Sequence, residues 1–280
     1  MNMSMINSFV GMHTIQQKID MIANNLANTN TVGFKSRELF FQDILSARLD
    51  QPQVFLSNGR RTPLGIDIGA GARAGLTLAN FQQGQQLETG IATDLMLHGE
   101  DIFFTVVPPE KDPYEALNWQ YTRNGHFQLD ASRYLVTDQG DYLLSTDDEP
   151  IYIPEGADFQ MDKQGRITVQ YPQGETEEIG AVKLTRMITP HALEEAGSSK
   201  YQIAEAFLEQ GLPVIDQDFD MLEPEYANAY AVLQGSLEGA NIDFVKEMTQ
   251  LTEAQRAYQF QARGLSIADQ MMGIVNNLKG

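Results

Sequence analysis

The side chains best suited to chemistry are spread thinly along this chain. His13, His98, His126 and His191 are scattered, and none falls in a metal-ligand spacing such as H-E-x-x-H. Two carboxylate runs, Asp147-Asp148-Glu149 and Glu175-Thr176-Glu177-Glu178, fall in predicted loops. Carboxylates in such places are usually solvated rather than paired for acid–base work. Gly69-Ala70-Gly71 with Gly75 has the spacing G-x-G-x-x-x-G, one residue too long for a dinucleotide loop, and no βαβ pattern surrounds it. There is no G-x-S-x-G elbow. The absence of cysteine removes disulfides, thiolate nucleophiles and cysteine-based zinc sites. No catalytic, cofactor-binding or metal-binding residue is expected, and the chain does not read as an enzyme.

The elements that frame these residues are more informative. Near the N-terminus Met5, Phe9, Met12, Ile15, Ile19, Ile22 and Leu26 recur in steps of three and four. Near the C-terminus Phe244, Met248, Leu251, Tyr258, Leu265, Ala268, Met272 and Val275 do the same, with a second stripe of Ile267, Met271, Ile274 and Leu278 beside them. Such spacing places each set along one side of a helix, as in a coiled-coil seam. Helices over about Met1 to Asn28 and about Asp243 to Leu278 are expected, with Asn241 as N-cap of the second. Asn28-Thr29-Asn30-Thr31-Val32-Gly33 ends the first, since Asn and Gly tolerate left-handed backbone.

Charge is distributed unevenly. Against 19 basic residues stand 38 acidic ones, a net charge of −19. Residues 1–33 hold only Lys18 and Asp20, and residues 242–280 hold four charges of each sign, so the whole excess lies in 34–241. That balance argues against nucleic acid and against anionic lipid. No apolar run approaches the about 18 residues of a membrane span, and the N-terminus, without a basic n-region or an unbroken apolar stretch, does not read as a secretory signal. Neutral ends can pack side by side, while an acidic body repels its neighbours unless it faces water.

The middle reads as β. Residues 34–50 fit a short helix or an extended arm. Residues 51–93, punctuated by Asn58-Gly59, Pro63-Leu64-Gly65 and Gly69-Ala70-Gly71, fit extended chain and short strands. Farther on, Asn124-Gly125 lies between Tyr121-Thr122-Arg123 and His126-Phe127-Gln128-Leu129, a strong hairpin signal. Phe159 and Met161, then Lys163-Gln164-Gly165, then Ile167 and Val169 form a second. The expected fold is α+β: long N- and C-terminal helices forming a coiled-coil-like axial domain (1–33 and 242–280), an extended connection (34–93), and an inserted, mainly antiparallel, acidic β domain (94–241).

The corner Asn24-Asn25-Leu26-Ala27-Asn28, followed by Gly33-Phe34-Lys35, closely resembles the signature of the bacterial flagellar rod and hook family. Three further stretches resemble it in the same order: Asp94 to Phe104 with Tyr121 to Gly125, Leu237 to Asp243, and Gln255-Arg256-Ala257-Tyr258 through Met271. The length and the segment Phe40 to Gly75 are similar to the distal-rod type, a proximal-rod relative or a paralogous hook–basal-body protein being the alternatives within the family. The family usually has a second Gly and an aromatic where this chain has Asp101 and Ile102, so that turn must differ or accept a non-glycine backbone.

The resemblance implies a structural subunit of the flagellar basal-body rod, serving motility by polymerising helically into a hollow shaft that carries torque from motor to hook. It implies self-assembly, contact with other rod and hook subunits, and passage through the flagellar type III export apparatus without a cleaved signal peptide. No cofactor, nucleic acid or membrane insertion is expected. The expected assembly interface is Phe9, Met12, Ile15, Ile19, Ile22, Leu26, Phe244, Met248, Leu251, Tyr258, Leu265, Met272 and Val275. A different helix-flanked secreted subunit, hook-associated or phage-tail-like, is the alternative.

Overall fold

The computed structural model describes residues 3–43, 47–49, 66–68, 72–172, 174–204, 207, 213–216, 219–223, 226 and 229–278. The turn signals Asn58-Gly59, Pro63-Leu64-Gly65 and Gly69-Ala70-Gly71 lie outside the described residues, as do the side chains of Met5, Val275 and Leu278. Contacts divide the chain into two compact units: Met1–Ala27, Arg37–Leu78 and Asp243–Gly280 in one, Asn28–Ser36 and Ala79–Ile242 in the other.

The first unit holds both long helices, α1 (Met3–Ala27) and α2 (Phe244–Leu278). Asp243 Oδ1 accepts the backbone N–H groups of Val245 and Lys246 at 3.0 and 3.1 Å. Asp243 is therefore the N-cap of α2, and the expectation of Asn241 in that role is corrected. The helices pack antiparallel. A Cβ at Gly11 would lie 3.6 Å from the Gln261 side chain, and Asn25 Nδ2 lies 3.4 Å from Glu247 Oε1. Both pairs of residue numbers sum to 272, which sets Met3 opposite 269 and carries α2 on past the level of Met3. The facing positions are Gly11, Ile15, Lys18, Ile22 and Asn25 against Glu247, Leu251, Ala254, Tyr258, Gln261 and Leu265, all buried or half-buried.

A β ribbon completes this unit, with strands β1 (Arg37–Asp43), β2 (Ala47–Leu49), β3 (Ile66–Ile68) and β4 (Ala72–Ala79). β1 pairs with β4, and β2 with β3 in antiparallel register, Ala47 opposite Ile68 and Leu49 opposite Ile66. The arm that follows the corner is thus extended rather than helical.

The second unit is antiparallel β. Its strands are β5 (Gln86–Glu88), β6 (Leu95–His98), β7 (Ile102–Val107), β8 (Gln120–Thr122), β9 (Gln128–Leu129), β10 (Leu135–Val136) and β11 (Tyr142–Leu143). Then follow β12 (Asp158–Met161), β13 (Arg166–Gln170), β14 (Thr176–Ala181), β15 (Leu184–Arg186), β16 (Leu193–Gly197), β17 (Lys200–Ile203), β18 (Ala231–Gln234) and β19 (Ser236–Glu238). The largest sheet runs β16-β17-β8-β7-β11-β10-β9, with β15 also on β7; β12-β13-β14 form a second, and β18-β6 and β19-β5 are pairs.

β7 explains its own sequence. All six of its residues are buried, so hydrophobicity does not alternate as in a half-exposed strand. Ile102, Phe104 and Val106 enter a core with Leu95, Phe127 and Leu135; Phe103 enters another with Tyr121, Met187 and Tyr201. The hydroxyls of Thr105 on β7 and Thr185 on β15 bond at 2.7 Å.

The Lys163-Gln164-Gly165 hairpin forms as the sequence indicates, with Phe159 opposite Val169 and Met161 opposite Ile167. The Asn124-Gly125 hairpin does not: β8 pairs with β7 and β17, and β9 with β10. Thr122 Oγ1 accepts the Asn124 N–H, and Asn124 Oδ1 accepts the His126 N–H, so side chains make the turn locally. Gly125 serves close approach instead, since a Cβ there would fall 1.6 Å from the Leu95 carbonyl oxygen.

Candidate assembly site

The corner after α1 supplies polar residues to each unit separately. In the helical unit Asn25 is 1% exposed. Its Nδ2 donates to the Arg37 carbonyl at 3.0 Å, and its Oδ1 accepts the Arg37 N–H at 3.0 Å. The side-chain amide thus pairs with the first residue of β1 as a neighbouring strand would. The same Nδ2 reaches Glu247 on α2. Burial pushes the Glu247 carboxyl above its usual range, and the Asn25 amide draws it back.

In the β unit Asn28–Ser36 joins a polar collar. Gly33 adopts φ +67, and a Cβ there would lie 2.5 Å from the Asn124 backbone nitrogen, so this position requires glycine. Lys35 Nζ donates to Glu238 Oε1 at 2.8 Å and to the Gln82 carbonyl at 2.7 Å. Glu238 also accepts the Gly84 N–H at 2.7 Å. Its other oxygen lies 3.1 Å from Arg123 Nε, an ion-pair contact off the hydrogen-bonding line. Arg123 Nη1 and Nη2 donate to the carbonyls of Ile102 and Gly99, both at 2.6 Å. Lys35, Arg123 and Glu238 are each about 1% exposed. Two cations share one carboxylate out of water. Burial, reinforced by Arg123, lowers the Lys35 ammonium to about 8, with Glu238 opposing the shift. Asn241 closes the collar: its Oδ1 accepts the Ser36 N–H, and its Nδ2 donates to the carbonyls of Asn80 and Gln82.

The expected interface residues fall in three places. Ile22 is fully buried in the helix pair. Met12, Ile15, Ile19, Leu26, Leu251, Tyr258 and Leu265 are half-buried. Phe9, Phe244, Met248 and Met272 are exposed, as are Val245, Phe260, Ile267, Met271 and Ile274 on α2. Of the corner motif, Asn25, Gly33 and Phe34 are buried, Leu26 and Asn28 half-buried, and Asn24 and Ala27 exposed. The stripes omitted Ala254, 6% exposed in the pair, because alanine carries little hydrophobic signal. They also omitted Glu247 and the collar, whose partners lie up to 222 residues apart.

Elsewhere the structure corrects one local reading. Glu177 and Glu178 lie on β14 rather than in a loop. With Asp147 and Glu149 they line a cleft of about 360 Å³. Glu149 and Glu177 there accept the hydroxyls of Tyr114 and Tyr171. At the departure from the family pattern, Asp101 is absent from the residues with positive φ, so the turn accepts a non-glycine residue. Its carboxylate takes the Tyr230 hydroxyl at 2.9 Å and lies 3.5 Å from Arg186 Nε. Among the described residues no three His, Asp or Glu side chains are grouped to hold a metal ion, and no helix is long and apolar enough to cross a membrane.

Comparison with known proteins covers the same features. Residues 10–35 match the family model "Flagella basal body rod protein", 99–169 match "Flagellar hook protein FlgE/F/G D1 domain", and 233–278 match "Flagellar basal body rod FlgEFG protein C-terminal". The chain is 30% identical over 273 residues to the flagellar basal-body rod protein FlgG of Borreliella burgdorferi, covering 96% of each. It is 31% identical over 274 residues to FlgG of Caulobacter vibrioides, again covering 96% of each. To the flagellar hook-basal body complex protein FlhP of Bacillus subtilis it is 28% identical, over 99% of both chains. The corner, the collar residues Lys35, Arg123, Glu238 and Asn241, and the whole of α2 fall within the matched segments, and the chain belongs to the flagellar rod and hook family, as a structural rod protein of the basal body of the distal-rod type.

Proposed function

We propose that the chain polymerises helically into a hollow shaft that transmits torque between motor and hook, with residues 1–33 and 242–280 as its axial assembly domain. The observation that carries this reading is the row of large apolar side chains left in water on α2: Phe244, Val245, Met248, Phe260, Ile267, Met271, Met272 and Ile274. One helix pair cannot cover them, and contiguous exposed apolar surface marks an interaction site. Further copies supply the missing partners by repeated, non-closing contacts. Knobs-into-holes packing, as in a coiled coil, follows from the heptad-like facing positions. Other rod and hook subunits bound the shaft at its ends, and the chain reaches its place through the flagellar export apparatus without a cleaved signal peptide. The acidic β domain faces water, and the chain serves without enzymatic activity, nucleic acid or membrane insertion.

Phe260→Asp tests the reading, because Phe260 is 77% exposed and its replacement spares the single chain. The variant is expected to keep the melting behaviour of the parent, yet to be missing from purified basal bodies and to leave cells without hooks. Normal incorporation of Phe260→Asp, with swimming intact, would remove α2 from the interface.

A further inference from the structure

β14 is the last strand of its sheet, β12-β13-β14, and among the described residues no strand lies on its outer side. The run 145–154 meets that side at one end only. Ser145 bridges Val182, and the Thr146 N–H donates to the Ala181 carbonyl at 2.9 Å. From this joint the two chains part around the cleft of about 360 Å³, which both of them line. Ile151 and Ile167, both buried, add apolar surface to it. An open strand edge is a template for another extended chain, which bonds to it through the backbone and is selected by its side chains.

Charge decides which chain can enter. Asp147, Glu149, Glu177 and Glu178 line the cleft and are all exposed. Glu149 and Glu177 accept tyrosine hydroxyls, and among the described residues none of the four is paired with a lysine or arginine. They are not grouped to hold one metal ion, so positive charge spread along a chain fits them better than a point charge. A second copy fits them poorly. It would bring the same acidic edge, and like charges set opposite each other across a strand pair are destabilising. Glutamates that refuse a like edge admit a basic one.

We infer that the open edge of β14 and its cleft are a docking site for an extended, lysine- or arginine-bearing segment of another protein, added to the sheet as a fourth strand. The site lies wholly within the β unit. It therefore stands apart from the polymer reading and from the state of the end helices.

The probe is a dye-labelled octapeptide alternating lysine with threonine. It is titrated into the full-length protein at about 0.15 M salt, where long-range attraction is screened, and followed by fluorescence anisotropy. Glu194 and Glu195 serve as control, since they are also exposed, lie on another end strand, β16, and carry the same charge. Glu177→Gln with Glu178→Gln is expected to weaken binding about fivefold, the size of two exposed ion pairs. Glu194→Gln with Glu195→Gln is expected to leave it unchanged. Methylating alternate backbone nitrogens of the peptide keeps its charge, removes its pairing side, and is expected to abolish binding. Equal weakening by the two double variants would reduce the effect to net charge and overturn the inference. So would undiminished binding of the methylated peptide, or no binding of the parent peptide. A dimer of the protein that disperses in Glu177→Gln with Glu178→Gln would give the edge to a second copy, and would overturn it as well.

Discussion

Ile22 and Phe104 are both fully buried, yet their surroundings differ. Phe104 stands edge-on to Phe127 at 5.2 Å within a continuous core drawn from many strands. Ile22 lies in a single seam between two helices whose outer faces still carry Phe260, Ile267 and Met271 in water. The β unit has apolar cores and a polar collar of its own. The helical unit has, among the described residues, the seam between α1 and α2 and a two-stranded ribbon of β1 and β4 with Phe40, Phe41 and Leu76 exposed. Such a ribbon is marginal by itself in water. The contrast is between a body with cores of its own and ends whose apolar outer faces are still in water.

The strongest way to break that contrast is through the collar. Glu238→Ala leaves Lys35 and Arg123 buried without their carboxylate, and removing one partner of a buried ion pair costs about 3–5 kcal/mol. Thermal unfolding of the β unit should shift by that amount, and a loss under 1 kcal/mol would mean that the collar is ornamental. Next in size is Ile22→Ala. Truncating a buried Ile costs about 2–5 kcal/mol, and a thin seam that can collapse belongs at the lower end. Hydrogen exchange should show protection lost in α1 and α2 with β7 and β13 unchanged; equal loss in both units would tie their stabilities together.

The third test uses pH. Lys35 titrates at about 8 in the folded chain against 10.5 when unfolded. Between those values the unfolded state binds the extra proton, so stability rises with pH there. The penalty of burying the ammonium is present in full below about 8 and is relieved toward 10.5. Tyr121, raised by burial, acts in the opposite sense at still higher pH. Urea unfolding from pH 7.5 to 9.5 should therefore strengthen, and Lys35→Met should flatten the rise. The smallest effect concerns the β16–β17 hairpin. Ser198 and Ser199 occupy its two loop positions with φ of 52° and 59°. This left-handed turn favours Asn-Gly. Ser199→Gly should stabilise the β unit by about 1 kcal/mol, read as a raised melting temperature, with no change in the helices.

Local, periodic signals were the legible part of the sequence. Steps of three and four in Ile15, Ile19, Ile22 and Leu26 announce α1, and Lys163-Gln164-Gly165 announces its hairpin because the residues on either side pair directly. Asn124-Gly125 misled because the same dipeptide that suits a tight turn also suits close backbone approach, here to Leu95. Asn241 and Asp243 are both capable caps, and only the position of the neighbouring chain at Ser36 and Asn80 assigns them different work. The collar was invisible for the same reason: nothing in the spacing of Lys35, Arg123 and Glu238 says that they meet. Ala254 shows a different limit, since a small side chain marks a close helix contact without adding to an apolar stripe.

The offset of the two helices has a consequence for direction. Met3 lies opposite residue 269, while α2 continues to Leu278. At about 1.5 Å per residue, residues 270–278 carry α2 about 13 Å past the level of Met3. A pair with one flush end and one projecting end is like a plank cut for a lap joint. Laid end to end in one sense, each tongue finds a step; laid in mixed senses, tongues collide or gaps open. An array of such pairs, if formed as proposed, would carry an arrow, and its two tips would present unlike surfaces.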